Sequence, residues 1–129
     1  MLAQSRMTTI LPVVNVERAR KFYEGALGLR PAETRADGTV VYRGDAGEIA
    51  LSPRTEPTHN QYTALSFEVK DVVAEVQDLE RRGVAFDDYD LPDLKTVGHV
   101  CVIGSEKAAW FHDPEGNILC LHENVPTSH

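Results

Sequence analysis

The sequence predicts an α+β fold made of two consecutive βαβββ modules, and three observations predict it. The chain repeats itself: Val13, Asn15 and Val16 correspond to Val69, Asp71 and Val72, and the run from Gly47 to Ser52 corresponds to the run from Gly116 to Leu121. Each repeat opens with a strand followed by a capped, amphipathic helix. The stretch 107–123 reads as a β-hairpin, because Asp113-Pro-Glu-Gly-Asn117 is a turn between two strand-like runs. Pro114 presets φ for that turn, and Gly116 can take the left-handed conformation that closes it. Neither half buries both a helix stripe and a sheet face alone, so two halves together would enclose a curved sheet with helices outside.

The first strand is expected over residues 8–14, where β-branched and apolar residues cluster and Pro12 favours a strand end or an edge. Residues 1–6 before it read as a loose tail. Asn15 is the expected N-cap of a helix whose stripe is Val16, Ala19, Phe22, Tyr23, Ala26 and Leu27. Glu17 and Lys21 form an i,i+4 pair on its wet side. Gly25 weakens that helix and Gly28 ends it. Strands follow at 29–34, 39–43 and 48–52, with Asp37-Gly38 the clearest turn. Residues 53–61 read as a polar linker.

The second module runs from 62 to 123 and the first from 8 to 52, within one expected domain of 7–124. A strand at 62–69 precedes a helix capped by Asp71, with Val72, Val76 and Leu79 as its stripe and Gly83 at its close. Val84 to Phe86 begins a strand, residues 91–98 read as a long loop around Pro92, and 100–103 is a short strand before the hairpin. The tail 125–129 is expected to fray.

Composition narrows the partners. The chain has 129 residues, 42% hydrophobic and 26% charged, with a formal net charge of -7. That balance, with no Lys/Arg cluster beyond pairs such as Arg81-Arg82, argues against nucleic acid and anionic membrane. No apolar run is long enough to span a bilayer, and no signal-peptide pattern opens the chain, so a cytoplasmic location is expected. Cys101 and Cys120 lie in strand-like runs and read as buried free thiols. There is no Ser/His/Asp set, phosphate loop or zinc knuckle.

Asn15-Val-Glu-Arg-Ala-Arg-Lys-Phe-Tyr-Glu-Gly-Ala-Leu-Gly-Leu29 and Trp110-Phe-His-Asp-Pro-Glu-Gly-Asn-Ile-Leu119 resemble the two signature regions of the vicinal oxygen chelate superfamily, which holds glyoxalases, bleomycin-resistance proteins and extradiol dioxygenases. The resemblance covers residues 8–123. It implies paired βαβββ modules that form a partly open, mixed-sheet cup. It also implies a homodimer, with any exchange of modules crossing at 53–61. Metal enzymes of the family carry His, Gln or Glu at four strand positions, which by the resemblance fall here on Thr8, Leu51, Ala64 and Cys120. Only Cys120 among these can bind a metal, and one thiol is not a site. No metal and no cofactor are therefore expected.

The function expected is binding of a small organic molecule without chemistry, by a protein of the glyoxalase and bleomycin-resistance type. Tyr42, Tyr62, His99, Trp110 and His112 are the candidate ligand-binding residues. Trp110 is either a pocket wall or a packing residue against a helix or a second subunit. His112 is either outward or pocket-facing, and His99 lies in the inserted loop. Asp87, Asp88, Asp90 and Asp93 form either an acidic mouth, as in bleomycin-binding relatives, or a solvated loop. The alternative function is an enzyme, with an atypical metal or with His99 or His112 as a metal-free acid/base.

Overall fold

The computed structural model describes residues 2–45, 47–56 and 61–124. Residues 57–60 of the linker at 53–61, His59 among them, and the tail 125–129 lie outside the described residues. Among the described residues, eleven strands and two α-helices make the chain α+β, as the sequence predicts. They fall into two compact units: residues before the linker together with Pro114–Asn117, and residues after it up to 113 together with the strand that begins at 118.

In the first unit, β1 (Thr8–Val13) lies parallel to β4 (Glu48–Pro53), which pairs antiparallel with β3 (Val40–Arg43), and β3 pairs with β2 (Pro31–Thr34). The expected loose N-terminus instead includes a 3-10 turn at Leu2–Gln4. Helix α1 (Val16–Arg20) starts where expected, with the Asn15 side chain accepting from the Arg18 amide at 3.0 Å. It does not continue as one α-helix to Gly28. Residues Lys21–Ala26 widen into a π-helical segment. Its ion pair is Arg20–Glu24, at 2.7 Å, rather than Glu17–Lys21. Gly28, at φ 75°, supplies the left-handed exit.

Glu115 explains why Pro114–Asn117 belongs to this unit. Its carboxylate accepts from the amides of Val14 (2.5 Å) and Asn15 (3.1 Å) and from the Arg18 guanidinium (2.8 Å). These amides sit at the entry to α1, where helix geometry leaves donors without internal partners. Asn117 adds a bond to the Pro12 carbonyl at 3.2 Å.

In the second unit the order is β5 (Thr63–Glu68), β11 (Ile118–Asn124), β10 (Glu106–His112), then β6 (Phe86–Asp87), with β9 (Cys101–Ile103) also on β10. Helix α2 spans Val72–Arg81 and buries Val72, Val76 and Leu79. The Asp71 side chain accepts from the Ala74 amide at 3.1 Å. Asp71→Ala is expected to cost about 1 kcal/mol, the usual worth of an N-cap, read as a lower midpoint in thermal denaturation. The expected loop at 91–98 contains a small hairpin, β7 (Asp90–Leu91) with β8 (Leu94–Lys95), turning at Pro92-Asp93.

Strand alternation gives each sheet two unlike faces. In the second unit Ala109, Phe111, Leu119 and Leu121 are buried. They share their face with Glu123, which accepts from the Val72 amide at the start of α2 at 2.9 Å, so this is the helix-covered face. In the first unit Tyr42 stacks on Tyr23, which places Tyr42, Ile49 and Leu51 on the helix side. Leu51 therefore does not occupy the position that its glycine-based match to Cys120 implies. Strand pairing sets Arg43 opposite Glu48 and His112 opposite Ile118, so Ala50, not Leu51, is the counterpart of Cys120.

Candidate functional site

The β-register collects the chemistry of the second unit on the face turned away from α2. Cross-strand partners project to the same side, so Ser66, Cys120, Trp110 and Asp87 form one row across four strands. His122 and His112 flank this row on β11 and β10, and Cys101 joins the same face through its pairing with Ala108. This is the reverse of the greasy Phe111 and Leu119 side, and it follows from the alternation of Ala109-Trp110-Phe111-His112 in the sequence.

Trp110 is half-buried, and the Tyr89 ring meets it edge-on at 5.5 Å and 87°. Burial pushes the Tyr89 phenol up, helped by the nearby Asp87 and Cys120, so it remains a neutral hydroxyl at neutral pH. His112 Nδ1 lies 2.6 Å from Asp87 Oδ2. That oxygen is shielded from solvent, yet it makes no aligned hydrogen bond. The two side chains thus touch without an aligned hydrogen bond.

Cys120 is buried, and burial pushes its thiol up, against a smaller downward pull from the Ser66 hydroxyl. Such a thiol stays protonated at neutral pH and is not an activated nucleophile. Ser66 Oγ in turn lies 2.5 Å from His122 Nδ1. Thiol, hydroxyl and imidazole thus form a polar strip beside the indole.

The structure brings Trp110 and His112 together and places the other three candidates elsewhere. Tyr42 is in the first unit, on the helix side, with its hydroxyl donating to Glu24 at 2.8 Å. Burial, then the Glu24 carboxylate, raises its phenol, while the Arg20 guanidinium holds Glu24 below the usual carboxylate range. Tyr62, before β5, is 80% exposed. His99 sits at φ 70° between two carboxylates, Asp88 (2.9 Å to Nδ1) and Glu80 (3.5 Å to Nε2), with its ring stacked on Phe86. Sequence reasoning weighed Asp87 only as part of an acidic mouth, and it did not place Asp87, Tyr89 or Ser66 beside Trp110 and Cys120. Asp87 and Asp88 do separate to different partners, as alternation along an extended segment predicts.

The four positions that the resemblance matches to metal ligands are poor in donors. Thr8 donates its hydroxyl to Glu48 at 2.8 Å, Ala64 has no donor, and the counterpart of Cys120 in the first unit is an alanine. Among the described residues, no three His, Cys, Asp or Glu side chains gather as a metal would need. A cavity of 540 Å³ in the first unit is lined by Arg6, Arg43, Asp45 and Glu48 among others. Arg6 and Arg43 both pair with Glu48, so much of its charge is spent internally, and it contains none of the candidate residues. No helix among the described residues is long and apolar enough to cross a membrane.

Comparison with known proteins agrees with this architecture. The chain is 27% identical over 111 residues to a trivalent organoarsenical cleaving enzyme of Bacillus sp. (strain MD1), an overlap covering 83% of this chain and 65% of that protein. It superposes on TnmS3, an antibiotic binding protein from Streptomyces sp. CB03234, with a TM-score of 0.65 and 21% identity, covering 96% of this chain and 98% of the other. Lactoylglutathione lyase from Agrobacterium tumefaciens superposes with a TM-score of 0.65 and 18% identity, covering 93% of each chain. The Glyoxalase/Bleomycin resistance protein/Dioxygenase superfamily model matches residues 6–121, nearly the whole described chain, and the protein therefore belongs to that superfamily.

Proposed function

We propose that the protein binds a small organic molecule against Trp110 on the second sheet, without the family's usual metal. The observation that carries this reading is the row itself. A half-buried indole, edged by Tyr89, lies directly across the strand from a carboxylate and next but one to an imidazole. Aromatic area supplies affinity and a few fixed polar groups supply orientation, the usual division of labour in a ligand site. The same fold serves an antibiotic binding protein among the structural neighbours, so the architecture is compatible with sequestration.

Trp110→Ala is expected to weaken binding of a flat aromatic ligand by about 30-fold or more, the size of effect seen for a central aromatic anchor. Titration calorimetry checks this, with the variant's far-UV circular dichroism confirming its fold. Binding should be unchanged by EDTA. Loss of binding on chelation would count against a metal-free site.

A second reading is enzymatic and rests on the two thiols, Cys101 and Cys120, that share this face, together with the arsenical-cleaving relative. Trivalent arsenic is thiophilic, and sulfur ligands select soft partners. Incubation with phenylarsine oxide and measurement of released inorganic arsenite separates the readings. Release that disappears in Cys120→Ser would favour the enzyme.

A further inference from the structure

The Tyr89 ring stands edge-on to Trp110, and the bonds that hold it there lie on the α2 side of the sheet. Residues 86–89 alternate in direction: Asp87 reaches His112 and Tyr89 reaches Trp110, while Phe86 and Asp88 both reach His99. Thr96 clamps the Tyr89 backbone. Its hydroxyl accepts from the Tyr89 amide at 2.9 Å, and its own amide donates to the Tyr89 carbonyl at 2.9 Å. The same hydroxyl donates to Asp88 Oδ1 at 3.1 Å. That oxygen also lies 2.9 Å from His99 Nδ1, and across the ring Nε2 lies 3.5 Å from Glu80 on α2. Phe86 stacks on the imidazole, with centroids 6.1 Å apart. His99 thus ties the Asp88–Thr96 segment to the helix. Its backbone is also unusual, with φ 70° directly after Gly98 at φ 60°. A left-handed residue carrying a Cβ is disfavoured, and where one persists its surroundings fix it. Glycine would turn this corner without that cost, so the turn alone does not account for a histidine.

We propose that His99 is a positioning residue for the Trp110 site: by bridging Glu80 and Asp88 it holds Tyr89 at the edge of the indole, and so sets how large a ring system the indole accepts. This rests on the reading of Trp110 as the ligand platform. Two rings at 87° make a corner, so a flat molecule laid on one meets the other as a wall. The wall is held through its backbone, and a larger ring system can enter only by breaking the Thr96 clamp. Exclusion by such a clash gives selectivity without any new attraction. His99 therefore acts on ligand choice through Tyr89 rather than by its own contact with the ligand.

The sole tryptophan of the chain is Trp110, so its emission reports the displacement of Tyr89 before any ligand is added. His99→Gly removes the imidazole while the backbone keeps its left-handed corner, and Thr96→Val removes the clamping hydroxyl at nearly constant shape. Both should shift the emission to longer wavelength, as Tyr89→Ala does, and neither should add a further shift in the Tyr89→Ala background. Calorimetry on the full chain with quinoline and acridine reads the consequence. The native protein should favour the two-ring probe about tenfold, and each variant should reduce that preference to less than about twofold. A purely structural role would weaken both probes alike and leave their ratio unchanged. Far-UV circular dichroism confirms that the variants are folded, and Thr96→Val carries the same test should His99→Gly fail to fold. An unchanged ratio and unshifted emission in the folded variants overturn the positioning role and leave the Trp110 site standing. Binding of neither probe to the native protein overturns the platform reading and the inference together.

Discussion

Replacing Glu115 by alanine is expected to destabilise the first unit by about 3 kcal/mol, because its buried carboxylate makes charge-assisted hydrogen bonds to two backbone amides at the start of α1, each worth roughly 1.5–3 kcal/mol. The Glu115 side chain is only 2% exposed, whereas its ion-pair partner Arg18 is 54% exposed, so the amides carry most of the effect and the guanidinium adds little. Glu115→Gln should cost about half as much, since an amide oxygen can replace one acceptor but not both. The pH dependence has a definite sign. Burial by itself would push this carboxyl up, but the Val14 amide, the Arg18 guanidinium and the Asn15 amide together hold it below the usual range. The unfolded chain takes up this proton near pH ~4.3, and the folded chain only at lower pH. The stabilisation is therefore complete above about pH 4.3 and is lost as pH falls through the depressed folded value. Urea denaturation from pH 7 to pH 3 should show a shallower acid decline in Glu115→Gln than in the native protein. An unchanged acid limb, or a cost for Glu115→Ala below about 0.5 kcal/mol, the range of an ordinary surface change, would sink this account.

Local signals explain what was legible in the sequence. Asn15 and Asp71 cap helices because each offers an oxygen to an amide three residues on, a relation that spacing alone reveals. Gly28, Gly83 and Gly116 adopt positive φ where turns or helix exits demand it. The π-helical widening after Arg20 was hidden, because the apolar stripe from Ala19 to Tyr23 fits an α-helix equally well. The orientation of Leu51 and Tyr42 was hidden for a different reason. Matching the repeats by their glycines ignores that four residues separate paired Arg43 and Glu48, whereas five separate paired His112 and Ile118. The shorter connection shifts the match by one residue, and a one-residue shift exchanges faces. Trp110 and His112 were legible as candidates through their alternation on one strand. The partnership of Asp87 with them was not, because it depends on β6 pairing with β10 across more than twenty intervening residues, which no local pattern encodes.

The same alternation leads to the second large effect: Phe111→Ala should cost about 3–5 kcal/mol, whereas His112→Gln, one residue on, should cost less than about 0.5 kcal/mol. Phe111 is fully buried on the α2 side, edge-to-face with Phe86 at 5.3 Å and beside the equally buried Ala109 and Leu119. Truncation removes the ring and leaves a cavity that strands β10 and β11 cannot close without breaking their ladder. His112 points the other way, 45% exposed, and its contact with Asp87 joins two partly exposed side chains, a kind of pair that contributes little. Chemical denaturation of the two variants measures the contrast. Against a typical domain stability of 5–15 kcal/mol, the first variant loses a large share and the second almost none. A slip of one residue in β10 would exchange these costs, since it would send Phe111 to the ligand face and His112 into the core. The pair therefore tests the register on which the placement of Trp110 opposite Asp87 depends: comparable losses from both substitutions, or the larger loss from His112→Gln, would remove the aromatic platform from the proposed site.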